Sequence, residues 1–516
     1  MRIKSFLILF LFASSFIFAQ SLEFKSPTLE DPHYSIIFQL SVEEEDTIFK
    51  EIRVNNRKWD YLLAFREGKR VNLTTTLVPG DYEFILDYAW KSEEDYEVLV
   101  FLQDSEETKE VRLRGKSPEG GIPSENEGFY RIFIAEETAG FRRERELASV
   151  TFTVPRNEFE KESFVIHDGK FVVDYQILDV RESAPPENVR STHPDTLTFK
   201  LVFPVDITPL GKKMYLFLKG KAESELPEGF SISGQAPGKT VKNKHLCLEF
   251  HPQSGQINVI ETDEAKLFNP AGVIHWNPGV YIPGIAWDHS FNWNPPPSYE
   301  EVKGKLLYSN SRRGPLQRIK DITLEVRYTL YAYKPYFISE SMIRVEKDLG
   351  LVALRNDEMV LSKELFDTLV YREKKGKMVK MPLKEKPHAP YGLVHVAPDN
   401  LDWVGLLNTE KNYGFFSLRI NYANSSFAPS GCWLHKSGTY FYAPSEGKYV
   451  YWVRPLLYTW AEFLTGNLLT FIPAGSNFYE KNAYLVLPLK KKVFEKNFAA
   501  KLDLLLKKLR NPVRIY

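Results

Sequence analysis

The sequence predicts a mainly β protein, with two antiparallel units in series and a C-terminal amphipathic helix. Three observations carry this. Stretches of alternating apolar and polar residues recur along the chain, broken by Gly, Pro, Asn and Asp, and alternation is the mark of half-buried strands. Aromatic residues make up 14% of the chain, led by 36 Phe and 27 Tyr, and flat rings favour pleated surfaces. There is no βαβ rhythm, no G-x-G-x-x-G and no P-loop, so the nucleotide-binding doubly wound classes are excluded.

The elements follow in order. The start, "MRIKSFLILFLFASSFIFAQ", sets Arg2 and Lys4 before an apolar run from Phe6 to Phe12, then small residues, then Ala19 before Gln20. This is the three-part pattern of a signal peptide over residues 1–19, cut after Ala19. The run is short for a membrane-spanning helix, and no later stretch is apolar enough, so an exported protein with no membrane span after processing is expected, periplasmic or extracellular. Removing Arg2 and Lys4 from 67 basic side chains leaves 65 against 67 acidic, a net charge of −2. That balance gives no pull toward nucleic acid. Cys247 and Cys432 are the two cysteines. In an exported chain they could pair, or each could sit in the core alone.

Residues 22–156 carry short strand-like bursts such as "YSIIFQLSV", "DYEFILDYAW" and "ASVTFTV", separated by turns such as "VPGDY". Short strands at regular spacing predict an immunoglobulin-like β-sandwich. The charged run from Pro155 to Ser163 reads as a linker. Residues 163–490 carry longer strands, among them "DTLTFKLVFPVDI", "ITLEVRYTLYAY" and "KYVYWVRPLLY". One helix-like stretch, "RNDEMVLSKELFDTLVYRE", interrupts them. In residues 491–516, Phe494, Phe498, Leu502, Leu505, Leu506 and Leu509 fall on one helical face with lysines opposite, which predicts a docked terminal helix.

The succession "HLCLEFHPQSGQINVIE", then an aromatic segment, then "RRGPLQRIKDITLEVRYTLY" and "PYFISESMIRVEKD" resembles the large antiparallel β-supersandwich of the galactose-mutarotase-like superfamily. That fold also forms a core domain of many polysaccharide lyases. The resemblance covers residues 163–490 and implies a sugar cleft built by loops beside a concave sheet. It implies a polysaccharide or oligosaccharide as partner.

The aromatic segment is "GVIHWNPGVYIPGIAWDHSFNWNPPP", Gly272 to Pro297. Pro278, Pro283, Pro295, Pro296 and Pro297 forbid a helix and break a ladder, so mostly ordered loop is expected, the kind of segment where binding residues concentrate. His275, His289 and Tyr281 are candidate acid–base groups. Trp276, Asn277, Trp287, Asp288, Asn292 and Trp293 are candidate sugar contacts. Each Trp serves equally as a packing anchor, and each His as a satisfied structural residue. "SRRG" sets Arg312 and Arg313 at a turn, where a guanidinium fork could hold a carboxylate, or simply be solvated. Arg355, Asn356, Asp357 and Glu358 lie where a strand pattern gives way to a helical one, so they either cap that helix or face the cleft. In "HAPYGLVHV", Tyr391 and His395 lie four apart and so share a face of a strand, and they are further candidate acid–base groups.

No G-x-S-x-G, no H-E-x-x-H and no C-x-x-C is present, so Ser or Cys nucleophiles and zinc sites lack support. The superfamily resemblance and this residue supply together point to a lyase-like enzyme that cuts an acidic glycan by β-elimination. That chemistry needs a group to neutralise the uronate carboxylate, a base and an acid. No cofactor is called for, though a divalent cation could serve as neutraliser. A glycosidase would need two carboxylates at fixed separation, from Asp288, Asp357 and Glu358. An epimerase on the same fold and a non-catalytic glycan-binding or structural surface protein are the alternatives.

Overall fold

The computed structural model describes residues 21–28, 31, 33–103, 107–119, 130–156, 159, 164–183, 196–219, 229–276, 278–373, 376–383, 393–398, 401–425, 438–443, 448–458, 469–489 and 497–516. The fold is mainly β and antiparallel, with one long C-terminal helix among these residues. The leader expected over residues 1–19 lies outside them, as do Asn277, Tyr391 and Cys432. No described helix is long and apolar enough to cross a membrane.

Two five-stranded sheets over Glu23 to Lys116 form the first sandwich. Its core includes Ile36, Phe38, Leu40, Phe84, Trp90, Val98 and Val100. Alternation builds it: Ser35–Val42 and Gly80–Asp87 pair in register so that Phe38 meets Phe84 on the buried face. Asn55 and Asn56, at φ 47 and 64, turn Thr47–Val54 back onto Arg57–Trp59, because Asn tolerates the left-handed region that a two-residue hairpin demands.

The expected boundary near Pro155 does not match the strand pairing. Tyr130–Glu136 pairs with Lys212–Lys219, and Arg143–Pro155 pairs with Thr196–Ile207. These strands make a second, smaller sandwich with its own core of Phe133, Phe199, Phe203, Tyr215 and Phe217. Non-local pairing across the charged run is the physical reason, since local pattern gives strands but not partners.

The remainder is the large assembly. A five-stranded sheet covers Ser231 to Phe268, and six-stranded and nine-stranded sheets follow. Its largest core cluster joins Val326, Tyr328, Leu330, Met359, Leu361, Phe415, Trp452 and Tyr484. Three expectations are corrected here. The helix-like stretch is instead the strand Ala353–Ser362, a single 3-10 turn and the strand Thr368–Arg372. Ala353–Ser362 is bonded to a strand on each side and buried on both faces, so its apolar residues need not alternate. Gly272 to Pro297 is less loop than expected, with a hairpin of Gly279–Ile282 and Ala286–His289, then a 3-10 turn at Ser290–Asn292. Its prolines precede, cap or follow the paired positions and remove no ladder bond. Arg312 and Arg313 lie within the strand Leu307–Pro315, not at a turn. Gly314 is there for contact: a Cβ on it would stand 2.3 Å from Pro297.

The helix Asn497–Arg510 docks as expected, with Phe498, Leu502 and Leu506 buried against Trp403 and Phe416. Asp503 accepts from Trp403 Nε1 at 3.1 Å and pairs with Arg372. Arg143 fastens the helix end to the second sandwich. Fully buried, it pairs with Glu137 at 2.8 Å and donates to the Asn511 carbonyl at 2.6 Å.

Candidate functional site

The six-stranded sheet separates the expected site into two faces. Residues opposite each other in antiparallel strands share a face. Glu358 opposes Val453, which opposes Tyr440; Tyr451 opposes both Val360 and Tyr442. The alternate positions Met359, Trp452 and Phe441 belong to the core. Glu358, Tyr440, Tyr442 and Tyr451 therefore lie on the outer face, away from the nine-stranded sheet. Gly279 opposes both His289 and Arg355, and Tyr281 opposes Trp287, so these side chains join the same face.

The outer face is aromatic with one charge pair. The Arg355 guanidinium lies 4.0 Å from the Trp287 ring centroid and 3.1 Å from Glu358. Trp287 stacks on His289 at 5.3 Å and meets Tyr281 edge-on at 5.4 Å. Trp276 reaches His289 at 6.0 Å. Half-buried rings of Tyr440 and Tyr442 flank Tyr451 at 6.2 and 5.1 Å. Burial pushes the His289 imidazole down to about 3, and the charges of Arg355 and Arg318 push the same way. Burial raises the Tyr451 hydroxyl well above the ordinary range, Glu358 adds to this and Arg355 opposes it.

The inner face carries a separate, enclosed network. His275 Nδ1 is 2.6 Å from the Tyr328 hydroxyl, and Nε2 is 3.2 Å from Asp357 Oδ1. Asp357 Oδ2 accepts from Asn482 at 3.0 Å. Tyr328 donates to Gln256 Oε1 at 2.5 Å, and Arg312 Nη1 donates to the same oxygen at 2.6 Å. Ser341 donates to Asn356 at 2.6 Å, and Arg419 pairs with Glu480 at 3.2 Å. Asn310, Tyr328, Ser339, Asn482 and Arg419 form one register row across five strands.

The candidates thus divide. His289, Tyr281, Trp276, Trp287, Arg355 and Glu358 gather on the outer face. His275, Arg312 and Asn356 turn into the interior. Asp288 holds a loop: its carboxylate accepts the backbone N–H groups of Arg318 and Ile319 at 2.6 and 3.0 Å, and Asn292 donates to it at 3.0 Å. Trp293 is an anchor, buried and bonded to the Pro315 carbonyl at 2.8 Å. Arg313 is exposed. His395 lies on the strand Leu393–Pro398, opposite Phe441. The expected capping role of Asn356, Asp357 and Glu358 fails because all three lie mid-strand. Asp288, Asp357 and Glu358 occupy three different environments, so none of them makes a hydrolytic pair with another. Among the described residues no group of three His, Cys, Asp or Glu could hold a metal ion.

Tyr328, Asn310, Asn482 and Tyr451 were not singled out from sequence. Asn310 and Tyr328 sit in phase with the apolar positions of their strands, as in "EVRYTLY", where Val326, Tyr328 and Leu330 share the core face. A polar group in the apolar phase of a long strand is the signal that could have found them.

No protein-family model matches the sequence, and no curated protein matches it. Among solved structures, a glycosyl hydrolase family 38 protein from Enterococcus faecalis is similar at 10% identity and a TM-score of 0.44 over 77% of this chain. The chain spans about half of that structure's length, 48%. Galactose mutarotase-like proteins from Lactobacillus casei and Clostridium acetobutylicum are similar at 9% and 6% identity, each with a TM-score of 0.31 over 50% of this chain. They are covered over 100% and 98% of their own lengths.

Proposed function

We propose that the outer face of the six-stranded sheet binds an acidic glycan and that the protein cleaves it by β-elimination. The observation that supports this is the guanidinium of Arg355 held against the Trp287 ring and beside Glu358, in a field of tyrosines. Aromatic rings stack on the apolar faces of sugars, and a planar guanidinium meets a carboxylate with two parallel hydrogen bonds. In the proposed reaction Arg355 meets the uronate carboxylate. His289 takes the proton from the carbon beside that carboxylate. The carbon–hydrogen electron pair forms the new double bond, the bond to the leaving oxygen breaks, and Tyr451, kept protonated by burial, gives that oxygen its proton.

Half-exposed Tyr440 and Tyr442 equally favour binding without cleavage, and one experiment separates the two. Purified protein is incubated with a panel of acidic and neutral glycans, and absorbance of an unsaturated product, reducing ends and binding are followed together. Unsaturated product supports elimination. Reducing ends alone would mean hydrolysis, and binding without either product would leave a glycan-binding protein. No binding to any glycan would overturn the proposal. Export belongs to the same reading and is checked by a mature N-terminus at or near Gln20.

A further inference from the structure

A second feature lies in the first sandwich, and it stands whether or not the outer face of the six-stranded sheet binds a glycan. The strand Leu62–Arg66 pairs with Gly80–Asp87 only as far as Phe65 opposite Glu83. It then turns at Glu67 and Gly68 and pairs back on itself, with Arg66 opposite Lys69 and Phe65 opposite Arg70. Gly80, Asp81 and Tyr82 run on beyond that point, paired with Ser35–Val42 on their other side. Where the two strands part, a cleft of about 730 Å³ opens between the turn and Gly80, Asp81 and Tyr82. Sites for small molecules typically measure ~300–1,000 Å³.

The lining joins apolar surface to both kinds of hydrogen-bonding group. Phe65 and Ile85, both half-buried, give the apolar part. Strand alternation sets Gln39, Asp81 and Glu83 on the same outer face, because Phe38, Ala64, Tyr82 and Phe84 take the core phase. Arg66 follows the phase of Ala64, and its guanidinium carbon lies 6.0 Å from the Tyr82 ring centroid. It also runs close to Gly80, where a Cβ would stand 2.9 Å from Arg66 Nε, so glycine there leaves room for the guanidinium. Glu67, Asp81 and Glu83 line the same cleft, yet among the described residues none of them forms an ion pair with Arg66. Glu67 stands at φ 51 in a two-residue turn that favours Asn or Gly there, a conformational cost the turn alone does not explain. Arg66, Lys69 and Arg70 balance Glu67, Asp81 and Glu83, so the cleft and its adjoining strand carry no net charge at neutral pH. Such a site does not draw an ion. It suits a ligand rich in hydroxyls, each of which donates and accepts, since the carboxylates accept, the guanidinium donates and the Gln39 amide does both.

We propose that this cleft of the first sandwich binds a neutral oligosaccharide. Phe65 and Ile85 would lie against the apolar face of one sugar ring, and Gln39, Arg66 and Glu83 would hydrogen-bond its hydroxyls. The site differs from the outer face of the six-stranded sheet in position and in the charge of the sugar it takes.

The test is calorimetric titration of the full chain at neutral pH with cellohexaose, maltohexaose and mannohexaose. At least one of them should bind saturably. Gly68→Asn adds a side chain at the mouth of the cleft, where a Cβ on Gly68 meets nothing within 4 Å. Asn tolerates the left-handed backbone at φ 73, so this variant should keep the wild-type melting temperature and bind at least tenfold more weakly. Arg66→Gln keeps polar atoms but loses the fork, and should weaken binding several-fold. Arg355→Lys, on the outer face of the six-stranded sheet, should leave this binding unaltered. No binding of any of the three oligosaccharides, wild-type affinity in both Gly68→Asn and Arg66→Gln, or a loss of affinity in Arg355→Lys would overturn the proposal.

Discussion

Asp357 and Glu358 are adjacent, alike in chemistry and almost equally enclosed, yet they belong to different regions. Asp357 turns inward and joins His275 to Asn482. Glu358 turns outward and holds Arg355 beside Trp287. The alternation of a strand does this, because successive side chains leave opposite faces. What differs is the partner set. The inner carboxylate ties two sheets together through neutral or weakly basic groups, and the outer one is matched by a cation on an aromatic ring. A carboxylate that fastens sheets should reveal itself in stability, and a charge pair on an aromatic face should reveal itself in recognition.

The sharpest break is Asp357→Ala. It removes the acceptor of Asn482 and the carboxylate that lies 3.2 Å from His275, both in the buried interior. Leaving a buried donor without its acceptor typically costs ~1–3 kcal/mol, so chemical denaturation should show a loss of that order. A loss below about 1 kcal/mol, the range of an exposed pair, would mean the inner network is not a fastening.

His289 sharpens the outer side through pH. Its folded value is about 3 and its unfolded value 6.5, so between those limits the unfolded chain binds more protons. Stability therefore rises with pH through this window and is lost as pH falls below 6.5, by up to ~1.4 kcal/mol per unit. His289→Gln should lessen the rise of urea-derived stability from pH 5 to 6.5, a difference of ~2 kcal/mol at the acid end, while His167, His245 and His251, also lowered by burial, keep their share of the slope. Glu137, held at about 2 by Arg143 and by backbone N–H groups against the pull of burial, acts only below its ordinary 4.5 and leaves this window clear. Equal slopes for wild type and variant would place His289 in water.

Arg355→Lys is the next and smaller test. It keeps a positive charge for Glu358 and loses the planar stack and the fork. Affinity for a uronate-bearing glycan should fall about tenfold, ~1.4 kcal/mol. Unchanged affinity would remove Arg355 from the recognition surface.

These tests also mark what was legible in the sequence. Strand content followed from alternation, and the terminal helix from the spacing of Phe498, Leu502 and Leu506. The aromatic segment was found because Trp, His and Pro crowd within it. Partners were not legible: Arg143–Pro155 pairs with Thr196–Ile207, and nothing local in either strand says so. The helical reading of Arg355 to Glu373 failed because a strand buried on both faces has no alternation to show. Within the site, His275 and His289 looked equivalent, and only register assigns one to the inside and the other to the outside. Tyr328 and Asn482 stayed hidden because each lies far along the chain from the residue it serves.

Arg312 and Arg313 give the smallest effect and the cleanest contrast. The sequence offers them as a pair, and one residue of strand separates their fates. Arg312 faces in beneath the Tyr328 ring with its fork enclosed, while Arg313 faces out and is exposed. Opposite Arg313 in register stands Ser298 on one side and Glu325 on the other, neither of which encloses it. Arg313→Ala should therefore change stability by no more than ~0.5 kcal/mol, the usual range for a surface substitution, and should leave glycan affinity unaltered. A loss of glycan affinity would move the recognition surface from the outer face of the six-stranded sheet to the outer face of the nine-stranded one, and with it the assignment of Arg355. A loss of stability alone would show that Arg313 is enclosed in the folded chain, and the alternation across Leu307–Pro315 that sends Arg312 inward would have to be redrawn.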